Sequence, residues 1–329
     1  MADANVRVRT MPRVSLGVDL GAGVKLATPV VAASGCFGSG QEMAELIDLR
    51  RVGAVVTKSV TLKAVKGMPT PRMAETPSGM LNAIGLQNPG VAAFIRKEGP
   101  WLEKAGVPVI VSVAGKSVEE FVRVAVRVAE LPGVVAIEAN ISCPNVERRN
   151  QVFACYPEQA AEVIGSVSRI SRLPVFAKLT PDVTSIVEVA DACVKAGAHG
   201  LTLINTLLGM AVDVETQRPR LGGVTGGLSG PAIRPVAVRT VFQVSRALPA
   251  VPIIGVGGVA GAGDAAEMIL AGAWAVGVGT ANFYNPSAPI EVAEGLGRIL
   301  QEKGLRSPAE LRGKVVGVVP VPESAHRGG

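Results

Sequence analysis

The sequence predicts a single α/β domain, a (β/α)8 TIM barrel with long loops at its C-terminal mouth and an N-terminal hairpin. Three observations predict this fold. Short runs of Val, Ile, Leu and Ala recur eight times along the 329 residues, and a segment of helical period follows each run. The chain length suits one barrel of this class. No mononucleotide-binding half is repeated, which disfavours an open, doubly wound sheet.

The predicted strands are short apolar segments of the kind found in parallel sheets buried on both faces. They cover residues 29–33, 54–58, 108–113, 134–140, 174–179, 200–205, 252–256 and 274–278. The predicted helices alternate with them and cover residues 41–49, 89–104, 117–131, 157–172, 185–196, 231–248, 263–271 and 286–303. Gly197 and Gly272 follow two of these helices, at the position where a helix commonly ends.

The remaining segments predict how the barrel is closed and covered. Residues 14–26 carry Gly21-Ala22-Gly23 between alternating residues, which indicates a hairpin at the bottom of the barrel. The connections 59–88, 143–156 and 206–230 are too long for simple turns, and all three follow strands. We therefore expect them at the C-terminal mouth, as binding loops or lids. We expect a flexible N-terminus over 1–13, the barrel over 14–305 and a C-terminal extension over 306–329.

The composition excludes several classes of protein. Hydrophobic residues make up 48% and charged residues 18%, which is typical of a chain with a large core and not of a disordered one. The longest uncharged segment, 268–290, contains glycines and prolines that break a membrane-spanning helix. The net charge is +6, but the basic residues are scattered and aromatic residues make up only 3%, so nucleic-acid binding is not predicted. The first residues lack an apolar signal region, and we expect a cytoplasmic protein.

Cysteine and histidine do not predict a metal site. The four cysteines are singletons without a CxxC pair: Cys36, Cys143, Cys155 and Cys193. Cys193 lies on a predicted helix and is expected in the core, and packing or chance is favoured over a catalytic role for Cys36 and Cys155. His199 precedes the sixth strand, at the bottom of the barrel, and His326 lies in the tail, so a histidine-based triad is not indicated.

Polar residues stand at the predicted C-terminal ends of the strands, where barrels build their active sites. They are Ser34, Lys58, Ser112, Asn140, Lys178 and Asn205, followed by Gly257-Gly258 and Gly279-Thr280. The glycines after the last two strands let backbone N–H groups approach an anion, as in the phosphate sites of barrels. Two simpler alternatives remain open here, namely that the lysines extend to solvent and that the glycines serve only tight turns.

The fourth strand runs into Glu138-Ala139-Asn140-Ile141-Ser142-Cys143-Pro144-Asn145, a loop that places a thiol between two carboxamides. Asn140 and Asn145 can each offer a donor and an acceptor, which suits a cyclic amide or imide. A thiolate at Cys143 could act as a base or a nucleophile if nearby cations and donors lower its pKa. The alternative is an inert, small apolar side chain.

Together, the strings at these positions resemble the FMN-dependent dihydroorotate dehydrogenases. They are Ala33-Ser34-Gly35, Thr57-Lys58-Ser59, Asn82-Ala83-Ile84-Gly85-Leu86-Gln87-Asn88-Pro89-Gly90, the loop 140–145, Lys178-Leu179, Ile204-Asn205-Thr206, Gly257-Gly258 and Gly279-Thr280. The likeness covers nearly the whole chain. The cysteine of Ser-Cys-Pro-Asn resembles the soluble class 1 enzymes, and the 82–90 string is similar to the NAD-dependent class 1B.

The resemblance implies oxidation of (S)-dihydroorotate to orotate in pyrimidine biosynthesis. Cys143 would remove the C5 proton while hydride passes from C6 to flavin N5, and Lys178 would lie beside flavin N1 and the C2 carbonyl. The implied substrate-binding residues are Lys58, Asn82, Ile84, Gly85, Leu86, Asn140, Asn145, Asn205 and Thr206. The implied FMN-binding residues are Ser34, Lys58, Ser59, Ser112, Asn140, Lys178, Ile204, Gly230, Gly257, Gly258, Gly279 and Thr280. Ser112 departs from the family, which often has Asn there.

The resemblance also implies a partner. Class 1B enzymes pass electrons to NAD through a subunit that holds FAD and a 2Fe-2S cluster, and we expect a heterotetramer, a dimer of barrels flanked by two such subunits. The chain itself lacks the clustered cysteines of an iron–sulfur site. Other hypotheses are a fumarate-dependent enzyme, a flavin barrel that reduces other pyrimidines, a cofactor-free isomerase or lyase for a sugar phosphate, and a catalytically silent binding module.

Overall fold

Eight parallel strands form a closed barrel in the computed structural model, which describes residues 13–142, 144–145 and 151–317. The strands are, in chain order, Val30–Ala32, Ala54–Val56, Val109–Val113, Val134–Asn140, Val175–Leu179, Gly200–Leu203, Ile253–Val256 and Ala275–Val278. Each strand pairs with the next along the chain, and the eighth pairs with the first through Val276 and Val30. The predicted (β/α)8 barrel is confirmed.

Helices cover the outside of the barrel. They are Val91–Leu102, Val118–Val128, Pro157–Ile170, Ile186–Lys195, Arg234–Ala247, Ala262–Ala271, Ala288–Glu302 and the short Pro308–Leu311. The helix Val118–Val128 shows why they form, since Ser117 caps it by accepting from the Glu120 N–H at 3.3 Å. Its buried side chains recur at helical spacing, from Phe121 to Val128, so one face packs on the strands.

The prediction of a helix over residues 41–49 is wrong. The segment contains two single turns of 3-10 helix, Met43–Glu45 and Leu49–Arg51. The Asp48 carboxylate accepts from the Arg50 N–H, which gives the backbone a local alternative to the helix. Leu46, in the middle of the segment, is 64% exposed, so the segment has no continuous buried face.

The predicted hairpin closes the bottom of the barrel. Its strands, Val18–Asp19 and Lys25–Leu26, pair antiparallel around a turn in which Gly21 and Gly23 have positive φ. Leu20, Val24 and Leu26 pack inside the barrel against the lowest interior side chains of the strands. His199 Nε2 donates to the Leu20 carbonyl at 2.9 Å, which confirms that this histidine lies at the bottom.

Two of the predicted long connections combine into a sheet at the mouth. Its four antiparallel strands lie in the order Leu207–Met210, Thr225–Ser229, Gly79–Asn82 and Met73–Thr76. The sequence predicted long segments here but not this sheet. In the third connection, Pro144–Asn145 pairs with Gln151–Val152, while Cys143 and residues 146–150 lie outside the described residues.

The described part of the C-terminal extension packs against the barrel. Leu311 of the last short helix is buried, and the Arg306 carbonyl accepts from the Ser15 N–H at 2.9 Å. Residues 1–12 and 318–329, with His326, lie outside the described residues. Within residues 13–142, 144–145 and 151–317, no helix has the length and apolar character needed to cross a membrane.

Candidate active site

An open cavity with about 550 Å³ of empty space lies at the C-terminal ends of the barrel strands. Ten of the predicted site residues line it: Ser34, Lys178, Ile204, Asn205, Thr206, Gly230, Gly257, Gly258, Gly279 and Thr280. Cys36, Ser229 and Tyr284 also line it, and the sequence did not predict them as site residues.

Two lysines lie at one side of the cavity. Lys178, on the fifth strand, is only 5% exposed, and its Nζ lies 3.6 Å from Oε1 of the equally buried Glu138. The Lys58 backbone N–H donates to the Gly38 carbonyl at 2.9 Å. A Cβ placed on Gly35 would lie 3.8 Å from the Lys58 Nζ, so this ammonium reaches the loop that follows the first strand. Neither lysine extends to solvent from an ordinary loop.

The Cys36 thiol lies in the cavity wall between these lysines and the last strand. Burial raises its pKa above the ordinary value, and the charges of Lys178 and Lys58 partly oppose this rise. The neutral thiol is therefore its resting form at pH 7. Packing or chance was favoured over a catalytic role for Cys36, and the structure adds that the thiol forms part of the cavity surface.

The other described cysteines lie away from the cavity. Cys193 is fully buried under a helix, and burial raises its pKa to about 12, as expected for a core thiol. Cys155 ends the 3-10 helix Phe153–Cys155, and its thiol donates to the Asp182 carbonyl at 3.6 Å. Both contacts are structural, in agreement with the sequence.

A chain of hydrogen bonds joins the ends of several strands beside the cavity. Ser112 Oγ lies 2.9 Å from Ser59 Oγ, and Asn140 Nδ2 donates to Ser59 Oγ at 3.1 Å. Asn205 Nδ2 donates to Asn140 Oδ1 at 3.4 Å, while its own Oδ1 accepts from the Thr206 N–H at 3.0 Å. Each amide is therefore held in one orientation, which leaves a defined set of donors and acceptors for a ligand.

The mouth sheet brings Asn82 to the same side as Thr206. Asn82 Nδ2 donates to the Gly227 carbonyl at 3.1 Å on the neighbouring strand. A Cβ on Gly227 would collide with Thr206 Oγ1, at 2.0 Å, so only glycine allows the threonine to approach. The two predicted substrate-binding residues thus meet through the backbone of a residue that the sequence did not single out.

Asn88 holds the segment 84–86 in place. Its Oδ1 accepts from the N–H groups of Thr61 and Gly90, at 3.1 and 2.9 Å. Its Nδ2 donates to the Leu86 carbonyl and to Thr61 Oγ1, both at 2.7 Å. Gly85 and Leu86 both have positive φ, a conformation that these bonds help to fix. The sequence placed Asn88 in the motif without a role, although its full set of partners makes it the anchor of this segment.

Glycine turns form the side of the cavity at the sixth to eighth strands. Gly230, Gly257 and Gly258 all have positive φ. A Cβ on Gly258 would lie 2.6 Å from the Arg234 Cβ, and one on Gly257 would lie 2.7 Å from the Ala237 Cβ. A wall without side chains lets a phosphate reach backbone N–H groups, so these residues fit a phosphorylated cofactor.

The Asp264 side chain caps the start of the nearby helix Ala262–Ala271. The Asp264 carboxylate accepts from the N–H groups of Ala260 and Gly261, at 3.0 and 2.9 Å, and pairs with Arg234. The helix is thereby capped by its own side chain. On the other side of the turns, Thr280 Oγ1 donates to Ser229 Oγ at 2.8 Å. The candidate anion site is therefore formed by the glycine turns and Gly279-Thr280.

The predicted base, Cys143, lies outside the described residues, and so does the side chain of Asn145. The preceding residue, Ser142, is described, and its Oγ donates to the Lys178 carbonyl at 3.3 Å. Ser142, just after the fourth strand, therefore lies beside the fifth strand at the position of Lys178.

Comparison with known proteins gives consistent matches. The chain matches the sequence model of the family described as Dihydroorotate dehydrogenase over residues 18–300. A protein of Geotalea daltonii is 51% identical over 303 residues, which cover 92% of this chain and 99% of the relative. A protein of Desulforudis audaxviator is 53% identical over 292 residues, which cover 89% of this chain and 95% of the relative. A protein of Anoxybacillus flavithermus is 51% identical over 292 residues, which cover 89% of this chain and 93% of the relative. All three are named "Dihydroorotate dehydrogenase B (NAD(+)), catalytic subunit".

Proposed function

The chain belongs to the dihydroorotate dehydrogenase family, and from this membership we propose how it oxidises (S)-dihydroorotate to orotate in pyrimidine biosynthesis. One observation carries the proposal. A buried cation, an oriented carboxamide and a wall of glycine turns meet at a single cavity, with Lys178, Asn205 and Gly258 on its surface, and Asn205 donates to the second carboxamide, Asn140. This combination suits a phosphorylated redox cofactor beside a cyclic amide.

We propose FMN as the flavin. Its phosphate fits the turns at Gly257-Gly258 and Gly279-Thr280, with Gly230 beside them, because these residues line the cavity and the glycines present no side chain that would keep an anion from the backbone N–H groups. Ser34 and Ile204 line the rest of the cavity, and Ser59, Ser112 and Asn140 form the hydrogen-bonded side next to it. When bound, the flavin supplies the acceptor for the substrate hydride. Lys178 supplies a fixed positive charge that favours the reduced, more negative ring.

The substrate contacts follow from the donors and acceptors at the mouth. Asn140, Asn145, Asn205 and Thr206 would bind the amide edges of the pyrimidine ring. Lys58, Asn82 and the backbone of Ile84, Gly85 and Leu86 would bind the carboxylate. Asn88 supports this anion site by fixing the Leu86 carbonyl and Thr61. Cys143 would take the C5 proton, a role for which a thiolate is suited.

The visible spectrum of the purified chain, before and after anaerobic addition of dihydroorotate, tests this proposal. We expect a yellow protein whose flavin band bleaches on addition of the substrate. Dihydrouracil, which is also a dihydropyrimidine but lacks the carboxylate, should not change the band, because Lys58 and the segment 84–86 would have no partner. A colourless protein that takes up no added FMN would contradict the proposal and favour a cofactor-free isomerase or lyase.

We further propose that NAD receives the electrons through a separate subunit with FAD and a 2Fe-2S cluster. The names of the relatives support this, since each is the catalytic subunit of an NAD-linked enzyme. In the described part of the chain, no three Cys, His, Asp or Glu side chains come together as they would around a metal or cluster. The expected assembly is a dimer of barrels with two partner subunits.

A further inference from the structure

Glu138 is a buried carboxylate that the proposed substrate and flavin contacts do not use. It lies on the fourth strand, two residues before Asn140, and is 2% exposed. Its Oε1 accepts no hydrogen bond from any residue that the structure describes, and it lies 3.6 Å from Nζ of Lys178. A carboxylate in such a place carries a large desolvation cost, which only an opposite charge nearby can offset.

Glu138 has apolar neighbours and a polar neighbour besides Lys178. Phe176, its register partner on the fifth strand, and Ala136, two residues earlier on its own strand, belong to the cluster that fills the barrel floor. Its register partner on the third strand is Ser112, whose Oγ lies 2.9 Å from Ser59 Oγ. Lys178 lines the cavity, and Glu138 contacts the lysine from the barrel interior. Glu138 is thus connected to the cavity through the ammonium group of Lys178.

Packing alone does not account for an acidic residue at this position. A buried ion pair is often no more stabilising than apolar side chains of similar volume, so a floor made of Leu or Met would serve the fold equally well. The pair has a different use, because a carboxylate 3.6 Å from the Lys178 Nζ fixes where the ammonium group lies.

We infer that Glu138 is a positioning residue for Lys178, which holds the lysine ammonium directed to the flavin side of the cavity. The inference rests on the proposed function, because the cation matters only if a flavin ring is reduced beside it. Without the carboxylate, the ammonium group has no ionic partner on the described barrel strands to hold it in this place. Its charge then moves away from the site, which makes the bound flavin harder to reduce.

The test is the equilibrium between oxidised and reduced FMN in the purified full chain, measured by titration against a reference dye. Glu138→Gln keeps the volume and removes the charge, and should lower the equilibrium constant for reduction by about tenfold or more, which is about 30 mV for a two-electron couple. Glu138→Asp keeps the charge on a shorter side chain and should remain closer to the parent. The equilibrium constants of both variants and of the parent are measured at the same pH and salt concentration.

Thr202→Val is the matched control. Thr202 is the register partner of Lys178 on the sixth strand, is 1% exposed, and has a buried Oγ1 without a hydrogen-bond partner. Its replacement alters a buried polar group at the same level of the barrel without changing any charge. We expect its equilibrium constant to stay within about threefold of the parent.

The outcomes separate the inference from the proposed function. The inference is overturned if Glu138→Gln has an unchanged or larger equilibrium constant for FMN reduction while its flavin still bleaches with dihydroorotate. It is also overturned if Thr202→Val shifts this constant as much as Glu138→Gln does. A parent chain that binds no flavin overturns the proposed function and the inference with it. If Glu138→Gln does not retain FMN, the thermal unfolding temperatures of the flavin-free chains test the pairing instead. The double variant Glu138→Gln, Lys178→Gln should unfold at a higher temperature than Glu138→Gln alone, because the single variant leaves a buried charge without its partner. An equal or lower unfolding temperature of the double variant overturns the pairing.

Discussion

Cys143 is the residue on which the proposed chemistry depends most, since it is the group assigned to remove the substrate proton. Cys143→Ala should lower the rate of flavin reduction by about 10²–10⁴-fold, the usual contribution of a general base, while FMN stays bound. Cys143→Ser should keep some activity that rises with pH, because a hydroxyl is a poorer base. Anaerobic stopped-flow reduction and the flavin content of each variant give the measurement.

Cys155→Ala is the control for that experiment. Its thiol donates only to the Asp182 carbonyl among the described residues and does not line the cavity, so its removal should leave the reduction rate near that of the parent. A Cys143→Ala rate within about threefold of the parent would end the assignment of this thiol as the base.

Lys178 and Ser112 provide a second comparison at the scale of single residues. Lys178→Ala removes a buried cation at the cavity surface, whereas Ser112→Ala removes a hydrogen bond to Ser59 one step away from it. The lysine variant should lose more FMN on gel filtration and reduce more slowly than the serine variant, because a charge stabilises the reduced ring more than one neutral hydroxyl does. The opposite order of the anaerobic reduction rates would show that Lys178 does not act on the flavin.

Among structural elements, the glycine turns give the clearest prediction. Gly258 has a φ of 74°, and a Cβ there would lie 2.6 Å from the Arg234 Cβ and 3.0 Å from the Gly230 carbonyl oxygen. Gly258→Ala should therefore distort the turn and sharply weaken FMN binding. Titration of the flavin-free chain with FMN measures the affinity.

Gly263→Ala is the matched control, since this glycine lies in the helix Ala262–Ala271 and a Cβ there meets nothing within 4 Å. It should bind FMN as the parent does and unfold with a free energy higher by about 0.5–1 kcal/mol, because alanine suits a helix better than glycine. Equal FMN affinity in the two variants would remove the Gly258 turn from the cofactor site.

The elements differ in how far the sequence could predict them. The barrel strands were predictable because each is an apolar run buried on both faces, and polar residues such as Lys178 at their ends could be read as a site. The mouth sheet was not predictable from the sequence, because its strand Gly79–Asn82 pairs with Thr225–Ser229, which lies far along the chain. One of its outer strands also exposes an apolar residue, Met73, so the strand lacks the pattern of a buried face. The ion pair of Glu138 and Lys178 depends on the register of two strands, which a sequence pattern does not give.

At the scale of the whole molecule, the question is where the electrons go after the flavin. The described residues provide glycine turns at the ends of the last two strands, and we assign these turns to the phosphate of FMN. NAD therefore needs a binding surface of its own. The relatives are named as catalytic subunits of NAD-linked enzymes, which favours placing that surface on another chain.

The corresponding prediction concerns the chain purified alone and supplied with dihydroorotate and one of three acceptors. It should reduce an artificial dye steadily, because the dye can reach the flavin directly, and should reduce NAD at a rate near background, because hydride transfer requires a nicotinamide held in a fixed orientation close to the flavin. Fumarate should also remain unreduced. Rapid NAD reduction by the isolated chain would refute the need for a partner, and rapid fumarate reduction would move the protein to the subclass that works without one.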